Sequence, residues 1–280
     1  MEQEVYIPII TAIISSGISY YVATVVHKFD KKYKRKEKSL EMANEFSKLI
    51  SSKSFDIGGI NKQVLENLGM QNKITELENK KYLYFDYNEL LSVFTEDDLK
   101  RYREYKKIKN VEFVKILFDT FRDGTFIDEC IRSSIVDFDN HKTLDENLKK
   151  EKWVYTTGEK TVTIGSNDIL QAINSMSKKY NETAIYGINK LEWLAMYFTN
   201  NIADSSTVYQ SLYQVYLKTV ISQYIDVSQR NKNGHEKFYV NLIELYNEWS
   251  SKKRKYEKKS EKLKKANSNI YQKDKKIEVI

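Results

Sequence analysis

The strongest constraint on the fold is an uncharged segment near the N-terminus. From Val5 to Val26 the chain reads VYIPIITAIISSGISYYVATVV and contains no Asp, Glu, Lys or Arg. About 20 predominantly apolar residues in a helix span the hydrocarbon core of a bilayer. A cleavable signal peptide has a basic start and a shorter apolar region, whereas Glu2 and Glu4 precede this segment. The sequence therefore predicts a retained transmembrane helix, with a buried core helix as the alternative.

The charges on either side of this segment predict its orientation. No Lys or Arg precedes it, and a dense basic block follows it between Lys28 and Lys38. Lys and Arg near a transmembrane helix favour the cytoplasmic side. We therefore expect a single-pass protein with its N-terminus outside and its C-terminal body in the cytoplasm. The anchor would comprise residues 1–27, and a basic juxtamembrane helix would follow over residues 28–52.

Small residues recur at every fourth position within the anchor, at Thr11, Ser15, Ser19 and Ala23. This spacing places them on one face of a helix. Stripes of small residues allow transmembrane helices to pack closely, and hydroxyl groups can hydrogen-bond across the contact. The stripe predicts either a helix-packing seam or, in a ring of subunits, the lining of a polar pore. Both interpretations predict a homo-oligomer.

The rest of the chain has the pattern of a mainly α protein, because apolar residues recur at helical spacing. Cap signals at Asp86 and Thr95 predict two helix starts, the second opening one long helix that runs to Phe121. Only the stretch from Trp153 to Ile164 alternates in the manner of strands, which predicts a loop or a small β-hairpin. We expect a cytosolic helical sensor domain over residues 53–249. A basic tail over residues 250–280 would pass from helix to disorder.

The sequence offers little that would support an enzyme. Its three histidines are far apart, and its single cysteine rules out the usual zinc patterns. Neither a Walker phosphate loop nor a G-x-S-x-G nucleophile elbow occurs. We therefore expect no catalytic residue, no metal and no cofactor. Cys130 lies in an apolar-periodic stretch and is predicted to be a buried packing residue.

The main candidate for ligand binding is a segment in which basic and aromatic residues alternate. Its members are Arg101, Tyr102, Arg103, Tyr105, Lys106 and Lys107. Aromatic faces that stack on bases, beside cations that contact phosphates, are typical of sequence-tolerant single-strand binding. The formal net charge of +7 suits an anionic partner, and the basic tail could contact either nucleic acid or the anionic inner leaflet. The alternative is an ordinary amphipathic helix with its tyrosines half buried.

Two stretches carry a resemblance to known proteins. The first is the anchor that leads into LEMANEFSKLI, and the second is INKLEWLAMYFTNNIADSSTVYQSLYQVYL, which contains the motif Asn189-Lys190-Leu191-Glu192-Trp193. Together they resemble a family of uncharacterised bacterial single-pass membrane proteins linked to abortive infection. The likeness covers most of the chain but not the segment from Asp139 to Ile164. The architecture is also similar to membrane channel effectors of antiphage systems such as Hailong, in which a nucleotidyltransferase makes a single-stranded DNA ligand.

This resemblance implies an oligomeric effector of the bacterial inner membrane, of ion-channel or pore type. A nucleic-acid or nucleotide ligand bound to the cytosolic domain would gate it. Its partners would be the membrane, further copies of itself, single-stranded DNA or a nucleotide signal, and a nucleotidyltransferase encoded alongside. A membrane-tethered scaffold that recruits a protein partner, without channel activity, is the alternative. The resemblance supplies no catalytic residues.

Overall fold

The fold was analysed in a computed structural model, which describes residues 2–51, 56–121, 124–149, 152–157, 160–233 and 237–277. The side chains of residues 2–18, 51, 157, 160, 233 and 266–277 lie outside that description. The chain is mainly α, as the sequence predicts. Its helices are α1 (Glu2–Ser51), α2 (Asp56–Asn67), α3 (Gln71–Asn79), α4 (Tyr87–Val93), α5 (Glu96–Tyr105), α6 (Val111–Phe121), α7 (Phe126–Val136), α8 (Leu144–Asn147), α9 (Ser166–Thr199), α10 (Ser205–Ser222), α11 (Tyr224–Arg230) and α12 (Val240–Ile277).

A two-stranded antiparallel hairpin lies between α8 and α9. Its strands are β1 (Lys152–Thr157) and β2 (Lys160–Gly165), and Trp153 pairs with Ile164 across them. Both of these side chains are buried, and the Trp153 ring packs 6.1 Å from that of Phe138. The period-two pattern therefore gives the hairpin one face that packs on the core and one face that is exposed to solvent. The hairpin prediction is confirmed.

The core is a set of helices packed around α9 and α12. Trp249 of α12 is fully buried, and its ring lies 5.0 Å from the ring of Tyr216 on α10 and 6.0 Å from that of Phe198 on α9. Such tilted and edge-on aromatic pairs add to the free energy gained from the buried area itself. Cys130 of α7 is buried, as predicted.

The two predicted helix starts are confirmed, but one predicted helix is wrong. Asp86 accepts a hydrogen bond from the Glu89 amide at 2.8 Å, and Thr95 forms a reciprocal capping box with Asp98. The helix that begins after Thr95 ends at Tyr105 rather than at Phe121. Asn110 starts the next helix, because its side-chain oxygen accepts from the Glu112 amide at 2.9 Å. Such Asn caps satisfy the free N–H groups of a first turn.

Helix α1 joins the predicted anchor to the body without a break. Met42 and Phe46 in its C-terminal part are fully buried, whereas Tyr20 and Tyr33 are exposed. In the part of the chain that the structure describes, no helix is long and apolar enough to cross a membrane. Most of the side chains of the predicted span, including Thr11 and Ser15 of the small-residue stripe, lie outside that part. Ser19 and Ala23 are exposed.

Helix α12 likewise crosses the predicted domain boundary at residues 249 and 250 without interruption. Trp249 is at the centre of the core, and the helix continues through the basic tail to Ile277. Tyr256 and Leu263, seven residues apart on this helix, are more than half exposed. The tail is therefore an extension of a core helix.

Candidate ligand-binding groove

The six predicted ligand-binding residues do not share one surface. Tyr102 and Tyr105 are 2% and 7% exposed, because they follow Leu99 on the inward face of α5. Three members remain exposed, namely Arg101, Arg103 and Lys107. Lys107 forms an ion pair with Glu104 at 2.7 Å. The tyrosine rings are consequently not available for stacking on bases, as the alternative of an amphipathic helix anticipates.

The side chain of Lys106, the sixth member, points into the interior of the protein. Its ammonium lies 3.0 Å from the Asp226 carboxylate, 3.1 Å from the Tyr102 hydroxyl and 3.3 Å from the Asn61 side-chain oxygen. Burial is the largest single influence on the pKa of Lys106 and lowers it, but the Asp226 carboxylate together with Tyr102 and Tyr180 outweighs burial and holds that pKa well above its ordinary value. Three acceptors match the three donors of the ammonium. Lys106 is thus an internal cation with a complete set of partners.

A cleft of about 440 Å³ between α9 and α11 has Lys106 and Asp226 in its wall. Asn181, Gln223 and Arg230 are further polar members of its lining. The two charges bind each other, so the wall presents an ion pair rather than an unused cation. This cleft is therefore a weaker candidate site for an anionic ligand than the basic residues in its lining suggest.

A different surface combines accessible aromatic rings with cations. Four residues of α9 lie on one face at spacings of four, three and four: Tyr186, Lys190, Trp193 and Tyr197. They face four charged residues of α1, which also share one helix face: Lys38, Glu41, Glu45 and Lys48. We call the region between these two rows the α1–α9 groove. A cavity of about 190 Å³ opens in it, bounded by Glu45, Lys48, Leu49, Tyr186, Lys190, Trp193 and Leu194.

The cations of the groove lie over its aromatic rings. The Lys190 ammonium is 4.7 Å from the centroid of the Trp193 ring and 5.9 Å from that of Tyr186. The Lys38 ammonium lies 5.1 Å from the Tyr197 ring. Tyr186 is 53% exposed, and Trp193 and Tyr197 are partly buried. The ring faces of the groove are therefore covered by partly exposed Lys side chains rather than by core residues.

The charged side chains of the groove form ion pairs with one another, and these ion pairs lie at the surface. Lys48 donates to Glu45 and Lys38 donates to Glu41, each at 2.7 Å. The hydrogen bond from Lys48 and, to a smaller extent, the positive charge of Lys190 lower the pKa of Glu45, so that this residue is ionised at neutral pH. Exposed ion pairs contribute little net free energy. A ligand can therefore exchange them for its own contacts at low cost.

The motif from Asn189 to Trp193 divides its side chains between the groove and the body. Lys190 and Trp193 point into the groove, while Leu191 is buried in the core. Glu192 accepts hydrogen bonds from the Leu242 amide at 2.7 Å and from the Asn241 amide at 3.2 Å. It thereby caps the N-terminus of α12, where a negative charge is favourable. The spacing of the aromatic and basic residues on α9 was readable in the sequence, but the facing row on α1 was not.

The described residues include no cluster of three or more His, Cys, Asp or Glu side chains that could hold a metal ion. The groove offers aromatic ring faces, hydrogen-bonding groups and charges. Comparison of the chain with protein-family models, with curated proteins and with solved structures finds no match.

Proposed function

We propose that this chain is a homo-oligomeric effector of the bacterial inner membrane, of pore type, that acts in antiphage defence. In this proposal the cytosolic body binds single-stranded nucleic acid or a nucleotide in the α1–α9 groove. The observation that supports it is the position of α1. The helix that forms one wall of the groove is the same helix that continues into the uncharged segment Val5–Val26.

The groove has the chemistry that such a ligand needs. A base would stack on Trp193 in place of the Lys190 ammonium, and Lys190 and Lys48 would then contact phosphate. Glu45 offers an acceptor for the amino group of a base. A cavity of about 190 Å³ has room for one planar ring system, so the remainder of a longer strand would follow the open surface of the groove.

A ligand in this position would act directly on α1. The helix is fixed to the body by the buried Phe46 and by Ser39, whose hydroxyl accepts from the Asp204 amide at 2.6 Å. Glu45 and Lys48 lie in the same stretch of helix and belong to the groove. If the ligand prefers one orientation of α1, it shifts the population towards that orientation. Because α1 is continuous, the shift reaches the membrane segment.

A flux measurement tests the proposal. We expect full-length protein in sealed vesicles to change its ion flux when oligonucleotide or nucleotide is added on the side of the body. The Trp193→Leu variant should not respond, because it lacks the stacking surface. A fluorescent ion indicator inside the vesicles reports the result.

Two outcomes would contradict the proposal. A cytoplasm-only reporter fused after Ile280 must be active in cells, and activity of a periplasm-only reporter at the same point would exclude the assumed layout. Ligand binding without any effect on flux would instead favour the membrane-tethered scaffold.

Self-association through the small-residue stripe is a separate expectation. Replacing both Ser15 and Ser19 with leucine should weaken the oligomer, because the larger side chains hold neighbouring helices apart and remove two hydroxyl groups. Size measurement of the detergent-purified protein follows the change. The matched control replaces Ile14 and Ile18 with leucine and should keep the size of the parent. An unchanged oligomer in the serine variant would show that the stripe is not the seam.

A further inference from the structure

Helix α10 provides a fixed direction against which α1 can be oriented. The Phe46 ring lies 6.2 Å from that of Tyr216, well inside α10. Ser39 lies at the other end, where it bonds to Asp204, the residue that caps the N-terminus of α10. The two helices therefore run parallel. The part of α1 that precedes Ser39 leaves the body beyond the N-terminal end of α10.

Helix α12 runs antiparallel to α10. Tyr216 donates to the Leu242 carbonyl at 3.1 Å, and Trp249 donates from its indole nitrogen to the Ser205 hydroxyl at 2.8 Å. Lys252 also lies against Ser205, the first residue of α10. Arg254 still contacts the body, where it donates to the Lys80 carbonyl at 2.6 Å, and the Tyr256 ring lies 6.1 Å from that of Tyr209 on α10. The part of α12 that follows Tyr256 consequently leaves the body at the same end as α1. The basic tail and the uncharged segment project on the same side of the molecule.

Measured from the N-terminal end of α10, the projection of α12 is somewhat longer than that of α1. In α1, nine residues separate Val26 from Arg35, which is about 14 Å of helix. In α12, thirteen residues separate Lys252 from Lys265, which is about 20 Å. With Val5–Val26 in a bilayer, the tail therefore reaches the level of the lipid headgroups. We call residues 257–265 the tail helix.

The tail helix has the surface of a peripheral membrane segment. It carries five exposed lysines, at Lys258, Lys259, Lys262, Lys264 and Lys265, against two glutamates. Leu263 is 56% exposed on the same helix. Basic residues near a cytoplasmic leaflet are attracted by anionic lipids, and apolar side chains on such a helix enter the interface.

From this geometry we propose that the tail helix docks on the anionic inner leaflet of the membrane that holds α1. The proposal rests on the membrane anchor of the proposed function and on nothing else in it. The lysines contact lipid phosphate groups, and Leu263 contacts the acyl boundary. The body is then held to the membrane at two points, by α1 and by the tail helix. This second contact restricts the tilt of the body and hence that of α1.

Fluorescence quenching from the lipid tests the docking. Full-length protein with Ser260→Cys carries a fluorophore on the tail helix, because the one native cysteine, Cys130, is buried. The protein is placed in vesicles of phosphatidylcholine with or without phosphatidylglycerol, each containing the same amount of spin-labelled lipid. We expect quenching to be about threefold stronger with phosphatidylglycerol and to weaken at high salt. A fluorophore at Val154→Cys, on the hairpin at the opposite end of α9, should not be quenched.

Charge variants separate the tail from general basicity. Replacing the five lysines of the tail helix with glutamine should abolish the gain in quenching. The matched control replaces five exposed lysines of the body and should keep the gain: Lys62, Lys100, Lys107, Lys109 and Lys142. Equal quenching in both lipid mixtures, or a control that loses the gain, would overturn the docking.

Two further results distinguish a failure of the membrane anchor from a failure of the docking. If alkaline extraction removes the parent protein from the vesicles, the membrane anchor is wrong, and the docking and the proposed function fall together. If the protein is retained but its tail is not quenched, only the docking is wrong. An oligonucleotide that changes the tail signal in pure phosphatidylcholine as strongly as anionic lipid does would assign the tail helix to nucleic acid and overturn its assignment to lipid.

Discussion

Replacing Asp226 with alanine should lower the free energy of unfolding by about 3–5 kcal/mol, because the change leaves the Lys106 ammonium buried without its counter-charge. The Lys106 side chain is 14% exposed, and its remaining partners, Tyr102 and Asn61, are neutral. Neutral acceptors do not replace a carboxylate in a poorly solvated position. Chemical denaturation of the detergent-purified protein, followed by circular dichroism, measures the loss.

Two controls show whether the loss comes from an uncompensated charge. Glu257→Ala breaks an exposed ion pair with Lys253 at 3.8 Å and should cost less than about 1 kcal/mol. The double variant Lys106→Met with Asp226→Leu removes both charges and should be more stable than Asp226→Ala, since hydrophobic residues often replace a buried pair at little cost. A single variant no less stable than Glu257→Ala would show that water solvates Lys106.

The same ion pair predicts how stability depends on pH. Burial lowers the pKa of Lys106, but the Asp226 carboxylate together with Tyr102 and Tyr180 raises it above its ordinary value of 10.5, so the folded protein holds this proton more tightly than the unfolded chain. The stabilisation is therefore complete below that value and is lost as the pH rises through the raised pKa. Burial raises the pKa of Tyr102 as well, which has the same sign. In denaturation curves recorded at rising alkaline pH, the parent should therefore lose stability relative to the double variant, which lacks the Lys106 proton.

Local elements of this fold were predictable from the sequence. The caps at Asp86 and Thr95 depend on residues within one turn, and the hairpin depends on the alternation between Trp153 and Ile164. Such signals involve residues that are close together in sequence, so they can be read from one sequence alone. The same holds for the buried position of Cys130, which follows from the apolar spacing around it.

The positions of the candidate ligand-binding side chains depend on contacts between distant parts of the chain. Lys106 turns inward because Asp226 lies behind it, and the sequence separation of these residues is 120. The basic and aromatic pattern from Arg101 to Lys107 carries no sign of that partner. In the same way, the groove exists only because α9 packs on α1. Residues such as Trp193 and Glu45 have no sequence relationship that would reveal their proximity.

The last expected result is that Trp193→Leu lowers affinity for single-stranded oligonucleotide by about 5- to 150-fold, the equivalent of about 1–3 kcal/mol of lost stacking on one base. Leucine retains apolar bulk against the core, so the fold should persist. Lys190→Gln should also weaken binding and should flatten the salt dependence by about one unit, because one phosphate contact is lost. Fluorescence anisotropy of a labelled oligonucleotide, recorded with detergent-purified full-length protein across a salt series, provides both quantities.

The intrinsic fluorescence of the protein offers an independent measurement of the same contact. Trp153 and Trp249 are 4% and 0% exposed, whereas Trp193 is only partly buried in the groove wall. Quenching by bound oligonucleotide should therefore come from Trp193 and vanish in Trp193→Leu. The matched control changes Arg101, Arg103 and Lys107 to glutamine and removes more positive charge than Lys190→Gln does. If that control loses affinity while Trp193→Leu binds like the parent, the exposed part of the 101–107 segment is the binding surface and the groove is not. Full affinity in the control together with loss in the Trp193 variant would place the ligand in the groove, against the helix that continues into the uncharged segment Val5–Val26.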